Sequence, residues 1–310
     1  MSAYIRDMDK TEYISSHSKT LELIKKYDFQ IKKGYGQNFL RDQHVVNKIL
    51  AGSEIGPKDF VIEIGPGLGG LTERLAEAAA HVTAVEIDKA LIPILEDNFS
   101  DTANVDILNQ DILKTDICGL IKSRGFASAK IVANLPYYIT TPIIMSILES
   151  KAPVKSLCIM VQKEVGKRIK AEAGSKDYGA LTLGVAYRAK ATFIANVPGN
   201  SFIPRPNVDS VVLRLDVLEK PAVNVSSEEL MFKIIKAAFE QRRKTLVNCL
   251  FNLLDLGLSK EELAVILAEG GLSANVRGED LTLEEFAGLA DAVKVKLETP
   301  VSSENLMNRA

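Results

Sequence analysis

Phe60-Val61-Ile62-Glu63-Ile64-Gly65-Pro66-Gly67-Leu68-Gly69-Gly70 passes from a β-rich apolar run straight into a glycine-rich loop. The run reads as a strand, and the apolar periodicity of Leu71 to Ala80 beyond the loop reads as a helix. The loop satisfies both G-x-G-x-G and G-x-G-x-x-G, so alone it does not separate a dinucleotide site from an S-adenosylmethionine site. A second strand, His81 to Glu86, ends in an acidic residue about 20 positions after the first glycine, where a carboxylate can take two ribose hydroxyls. Glu86 therefore fits an adenosine-bearing cofactor. Asp88 lies at the same strand end and competes for the role.

Working outward towards the C-terminus, a helix from Lys89 to Phe99 and a third strand, Val105 to Leu108, lead to Asn109-Gln110-Asp111-Ile112. Asp111 stands where a third strand's end would meet an adenine, whose amine its carboxylate could accept; a helix cap or turn residue is the alternative. The fourth strand, Lys130 to Ala133, delivers Asn134-Leu135-Pro136-Tyr137-Tyr138 to the same sheet edge. Pro136 cannot donate to a ladder and biases Leu135 towards extended backbone, so the strand stops with polar groups facing outward. A nucleobase amine has two N–H donors. The Asn134 side-chain oxygen and the Leu135 carbonyl could accept them while Tyr137 offers a stacking face. An ordinary strand exit with a capping asparagine is the plainer reading of those four residues. In open α/β sheets ligands lie beyond the carboxyl ends of the strands, and all of these segments converge there.

Towards the N-terminus, Lys33-Gly34-Tyr35-Gly36-Gln37-Asn38-Phe39-Leu40 sets two glycines around an aromatic, a turn that can approach a ligand closely, with Gln37 and Asn38 offering amides. A helix capped by Asp42 follows to Ala51. Residues 1–28 carry no core pattern beyond the short amphipathic stretch Leu21 to Tyr27 and read as an N-terminal extension. Further on, Thr140 to Leu148 reads as a helix, Ser156 to Val161 as a strand, and Lys163 to Ala173 as a basic helix. Phe202-Ile203-Pro204-Arg205-Pro206-Asn207-Val208-Asp209-Ser210 is a rigid loop entering the strand Val211 to Leu215. Its prolines fix Phe202, which could stack on a base or serve as a hydrophobic plug. From about Lys220 only helices follow, at Ser227 to Glu240, Arg242 to Leu254, Lys260 to Ala268 and Leu283 to Val293. That change divides the chain into residues 29–219, a catalytic domain, and residues 220–310, a helical domain.

A chain of 310 residues with 46% hydrophobic content can bury a sizeable core. No window approaches a membrane span, and the polar start lacks the apolar core of a signal peptide, so a cytoplasmic, membrane-free protein is expected. Cys118, Cys158 and Cys249 are far apart without CxxC spacing, which points to buried free thiols. His17, His44 and His81 have no metal-ligand spacing, so no metal is expected. The net charge of -2 is unevenly spread. Basic clusters fall at Lys25 to Lys48, at Lys151 to Lys170 and at Arg242-Arg243-Lys244, while the stretch after about residue 255 is acidic. Such a chain can hold a polyanion at one face, or simply solvate its helices.

Taken together, GQNFL, EIGPGLGGLT, VEID, NQDIL, ANLPYYITTP, QKEV, FIPRPNVDS and FEQRRKTLVNCL, in this order from about Phe29 to Leu254, resemble the KsgA family of small-subunit ribosomal RNA adenine dimethyltransferases. The resemblance implies a Rossmann-like class I methyltransferase sheet with helices on both faces and a smaller C-terminal all-helical domain that binds RNA. It implies that Asn38, Leu40, Gly65, Glu86, Asp111 and Asn134 bind S-adenosylmethionine, with Asn134 shared with the target adenine and Tyr137 and Phe202 flanking the flipped base. Asn134, Leu135, Pro136, Tyr137 and Phe202 would form the catalytic set, and Arg242, Arg243 and Lys244 would contact RNA. The implied reaction is dimethylation of the N6 amines of two adjacent adenosines near the 3′ end of small-subunit ribosomal RNA, by a monomer acting on an assembling subunit. Because the sulfonium methyl is already activated, the site needs to align the amine, not deprotonate it.

Three other readings compete. The erythromycin-resistance methyltransferases resemble the catalytic half but modify large-subunit RNA, and FEQRRKTLVNCL with the length of helical chain beyond it argues for the small-subunit enzymes. A nicotinamide-dependent dehydrogenase would explain Gly65 to Glu86 but leave Asn134 to Tyr137 without a role. A non-enzymatic ribosome assembly factor would not need Gly65, Glu86, Asp111 and Asn134 intact.

Overall fold

The computed structural model describes residues 12–299. Its strands, in chain order, are β1 Phe39–Leu40, β2 Phe60–Ile64, β3 His81–Glu86, β4 Val105–Asn109, β5 Ala129–Asn134, β6 Val154–Gln162, β7 Ala189–Val197, β8 Phe202–Ile203 and β9 Ser210–Val217. Among the described residues, seven of them form one sheet in the order β4-β3-β2-β5-β6-β9-β7, while β1 and β8 make a separate two-stranded ribbon. β2 through β6 pair in parallel and β9 runs antiparallel to β6. Every residue of β2 is buried, as expected of a parallel strand covered on both faces.

The register places the strand ends together. Ile64 pairs with Val85 and Ala133, Glu86 with Asn109, and Asn134 with Met160. Between β2 and β5 the strand order reverses, and the crevice outside such a reversal is where an open α/β sheet takes its ligand. The glycine loop leaves β2 at this point with Gly65, Gly67 and Gly69 at φ +68°, +59° and +94°. Side chains with a Cβ rarely adopt that left-handed backbone, which accounts for glycine at these positions.

The chain divides into two compact units, one running to Gly166 and resuming over Lys190–Leu218, the other made of Lys167–Ala189 and the chain from Glu219 onward. This division differs from the sequence expectation in two places. First, residues 167–189 go with the helical unit. Tyr178, Leu183 and Tyr187 are buried in one core with Met231, Leu246, Leu263 and Phe286, and the Tyr178 hydroxyl donates to the Leu281 carbonyl at 2.7 Å. Second, the part of the 1–28 extension that is described belongs to the sheet unit. Residues His17–Lys26 form a helix capped by the Ser16 hydroxyl, and Ile14, Leu23 and Phe29 are buried with Phe39, Leu68 and Leu95. Residues 1–11 lie outside the described residues.

Other differences are local. β7 was not expected, because half-exposed Phe193 and the irregular burial along it break the alternation that marks a strand. The helix expected from Arg242 begins at Leu246, since Gln241 to Thr245 form a turn. Cys158 and Cys249 are buried free thiols, whereas Cys118 is partly exposed.

Candidate active site

The cleft beyond β2, β3 and β5 spans about 1170 Å³ of space between its walls, counted out into open solvent. Nine of the ten residues singled out for catalysis or cofactor binding line it: Asn38, Leu40, Gly65, Glu86, Asp111, Asn134, Leu135, Pro136 and Tyr137. They arrive from the carboxyl ends of β2, β3, β4 and β5 and from β1 with the loop before it.

Asn134 closes β5, and its side-chain Nδ2 donates to the Asn38 carbonyl at 2.9 Å. Only the NH₂ half of the amide can make that bond, so Oδ1 is left as an acceptor for a ligand. Leu135 is buried and its N–H donates to the Met160 carbonyl, which ties the strand exit to β6. Pro136 caps the turn, its carbonyl accepting the Ile139 N–H and the Thr140 hydroxyl. Tyr137 is half-buried with its hydroxyl 2.8 Å from Ser210 Oγ, which holds the ring against the wall; burial first, then the nearby Asp209 charge, raises its phenol against the Ser210 bond. The neighbouring Tyr138 stands on the rim with 59% of its surface exposed.

At the other end of the cleft Glu86 is 5% exposed. Its Oε1 accepts the Asp88 N–H at 2.8 Å and its Oε2 accepts the Gly67 N–H at 3.4 Å. Burial pushes the carboxyl up to about 7 against those two donors, as it must when a charge leaves water without a full set of partners. Asp88 does not line the cleft, and its carboxylate is already filled by Lys32, Gln37 and the Ala90 N–H. Of the two carboxyls weighed at this strand end, Glu86 is the one that faces the cleft. Asp111 has the capping role weighed from the sequence and also stands at the cleft. It caps the turn Ile112–Lys114 by accepting the Leu113 N–H at 3.0 Å.

Glu63, within β2, lines the cleft floor at 2% exposure and accepts the Thr72 hydroxyl at 2.5 Å. Burial raises it to about 8, with the Glu86 carboxylate adding to the rise and the Thr72 bond opposing it. Sequence reasoning gave this residue no role. A lone carboxylate inside an apolar strand was the available signal, because a buried charge demands an explanation. Ile14, Thr20 and Ile87 were missed as lining residues too.

Three carboxylates, Glu63, Glu86 and Asp111, line the cleft, and among the described residues no lysine or arginine does. A pyrophosphate needs cationic or N–H-rich surroundings, whereas a cationic nucleoside fits acidic ones. No side-chain cation stands ready for a pyrophosphate among the described lining residues, and Glu86 and Asp111 offer acceptors for the hydroxyls and amine of an adenosine-bearing cofactor such as S-adenosylmethionine. Exposed Ile87 beside Glu86 and Ile112 beside Asp111 add apolar lining to this end of the cleft.

Two predicted site residues are placed elsewhere. Phe202 is 1% exposed in the core with Val46, Cys158 and Val212, on the ribbon strand that pairs with β1, and it does not line the cleft. In this structure its packing is that of the hydrophobic plug. Arg242 is committed within the helical unit: Nε to Glu279 at 2.6 Å and the terminal nitrogens to the Lys176 and Ser175 carbonyls at 2.6 and 2.9 Å. Those contacts occupy its guanidinium within the helical unit, while 35% of the side chain stays exposed. Arg243 and Lys244 are exposed. In the early basic cluster, Lys26 pairs with Asp97 and Lys32 with Asp88. Among the described residues no cluster of metal-ligating side chains occurs, and no helix is long and apolar enough to cross a membrane.

Residues 28–293 match the family model described as ribosomal RNA adenine dimethylase. Ribosomal RNA small subunit methyltransferase A of Lachnoclostridium phytofermentans is 50% identical, covering 92% of this chain and 99% of that protein. Its namesake from Clostridioides difficile is 47% identical over 92% and 98%. Among solved structures, a dimethyladenosine transferase from Plasmodium falciparum superposes with a TM-score of 0.69 at 25% identity, covering 81% of this chain and 95% of that one. The 23S rRNA methyltransferase ErmE superposes at 0.63 and 25% identity, over 83% and 100%.

Proposed function

Since this chain belongs to the ribosomal RNA adenine dimethylase family, and is thus an S-adenosylmethionine-dependent rRNA adenine dimethyltransferase, we propose that its substrate is small-subunit ribosomal RNA. Within that RNA the targets are the N6 amines of two adjacent adenosines near the 3′ end, met by a single copy of the protein on an assembling subunit in the cytoplasm. The names borne by relatives about half identical over nearly the whole chain support the small-subunit assignment.

The observation that carries the chemistry is the Asn134 amide, turned by the Asn38 carbonyl so that its oxygen remains an acceptor beside Leu135, Pro136 and Tyr137. S-adenosylmethionine, when bound, supplies a methyl group already activated on a sulfonium. Asn134 Oδ1 and the Leu135 carbonyl accept the two N–H groups of the target amine, which aims its lone pair and draws it out of ring conjugation. Tyr137, pinned through Ser210, presents a fixed face to the flipped base. Glu86 takes the ribose hydroxyls, Asp111 the adenine amine of the cofactor, and Gly65 lets the backbone come close. No side chain is asked to remove the proton before attack, because the amine nitrogen becomes strongly acidic only afterwards.

The test is to incubate the protein and labelled S-adenosylmethionine with unmodified small subunits and, separately, with large-subunit RNA, and to identify the methylated nucleosides by mass spectrometry. Dimethyladenosine in the small-subunit RNA alone is the expected result. Label in the large-subunit RNA would transfer the protein to the substrate class of the ErmE-like structures instead.

A further inference from the structure

The cofactor end and the base end of the cleft are joined by one loop, residues 32–38, whose anchor lies outside the cleft. Asp88 is 1% exposed, and two of its donors come from that loop: Lys32 Nζ at 2.7 Å on Oδ1 and Gln37 Nε2 at 2.8 Å on Oδ2. Gln37 closes the ring, its Oε1 accepting the Lys32 N–H at 2.8 Å. At Gly36 the backbone turns through φ +61°, and the loop ends on Asn38. The Asn38 side chain donates to the Gly36 carbonyl at 3.0 Å, and its own carbonyl accepts Asn134 Nδ2 at 2.9 Å. Asp88 also touches the cofactor end directly, its N–H donating to Glu86 Oε1 at 2.8 Å.

A primary amide is nearly symmetric in shape, so steric packing alone does not decide which way Asn134 faces. Turned over, it would present NH₂ to an amine that also donates, and the interaction would become repulsive. The Asn38 carbonyl is the group that decides the orientation, and the loop decides where that carbonyl sits. Burial opposes ionisation of Asp88, but the Lys32, Ala90 and Gln37 donors outweigh it and hold the carboxyl below the usual range. The anchor is therefore charged at neutral pH. A charged, buried acceptor that fills both its oxygens from one loop gives that loop little freedom.

We propose that Asp88 and Gln37 are positioning residues for methyl transfer: together they hold loop 32–38 so that the Asn38 carbonyl keeps the Asn134 amide oxygen turned to the target amine. The proposal rests on the adenine reading above. It separates Asp88 from cofactor binding, although the residue lies two positions from Glu86.

The test uses Asp88→Asn, Gln37→Ala and the double variant of the full chain, with unmodified small subunits as substrate and S-adenosylhomocysteine as the calorimetric probe of the cofactor site. In each single variant kcat should fall by roughly 10- to 100-fold while S-adenosylhomocysteine affinity changes less than about threefold. The double variant should be no worse than the poorer single one, because both residues serve one latch. Loss of probe affinity in step with kcat would place Asp88 in the cofactor site and overturn the proposal. Unchanged kcat, or additive losses, would overturn it as well. If Asp88→Asn does not fold, Gln37→Ala carries the same test on a partly exposed side chain. Wild type run alongside separates the two levels: an active wild type with unaffected variants removes this proposal alone, whereas a wild type that labels no adenine removes the functional reading beneath it.

Discussion

A single amide bond donor, Asn134 Nδ2 on the Asn38 carbonyl, sets the polarity of the acceptor that the target amine meets. Replacing Asn134 by alanine should lower kcat by about 100- to 1000-fold, the usual cost of losing one preorganised group at a reacting centre. Because the side chain is only partly buried, melting temperature should stay within about 2 °C of wild type; turnover near normal would remove Asn134 from the mechanism. Glu86 supplies a second residue-level expectation, this one in pH. Burial pushes its carboxyl up to about 7, and two ribose hydroxyls bind the ionised form better than the neutral one. Affinity for S-adenosylhomocysteine should therefore rise as pH increases through about 7 and level off above it. In Glu86→Gln the affinity should be weaker and nearly independent of pH, and a wild-type affinity that falls over this range would contradict the assignment.

Between helices, the turn Gln241 to Thr245 exchanges a helical turn for a clamp. Arg242 reaches Glu279 and two backbone carbonyls of residues 175 and 176, so it fastens the 167–189 segment to the helical core. Arg242→Ala should cost about 1–2 kcal/mol of stability, read as a lower melting temperature, since it leaves two carbonyls without a donor. Arg243→Ala with Lys244→Ala should leave stability alone and reduce the salt dependence of RNA binding by roughly two units of slope, one per lost phosphate contact. A double variant with an unchanged slope would show both to be solvated side chains. The sequence told these neighbours apart poorly, because charge is legible in a string of letters and partnership is not. Element positions were far more legible. β2 and β3 fall at the residues read for them, since a continuous apolar run bounded by glycine has few other solutions. β7 escaped because its faces are irregularly covered, and Phe202 could be a plug or a stacking ring until packing put it in the core.

For the whole molecule, the cleft was legible because an open α/β sheet sends its strand ends to one edge, and a motif at each end suffices to locate it. The division into units was less so. Residues 167–189 precede β7 in sequence and carry no compositional border, and their allegiance appears only when Tyr178 and Tyr187 are found among the helices. The sheet unit also hides a thermodynamic property that no motif announces: two carboxyls, Glu63 and Glu86, buried within a few residues of one another across β2 and β3. Burial raises them to about 8 and about 7, so each holds its proton more tightly folded than unfolded. The folded state consequently binds more protons than the unfolded chain at intermediate pH, and stability falls as pH rises there. The contribution is complete below the ordinary carboxylate range and is lost on passing through about 7 and then about 8. One pKa unit is worth about 1.4 kcal/mol, so the cofactor-free protein should lose on the order of 5 kcal/mol between about pH 5.5 and pH 8.5. Urea titrations at a series of pH values measure the slope directly. Glu63→Gln, which keeps a neutral group able to take the Thr72 hydroxyl bond, should flatten the profile by more than half, whereas a wild-type stability that climbs over the same interval would mean that the two carboxyls are ionised in the fold.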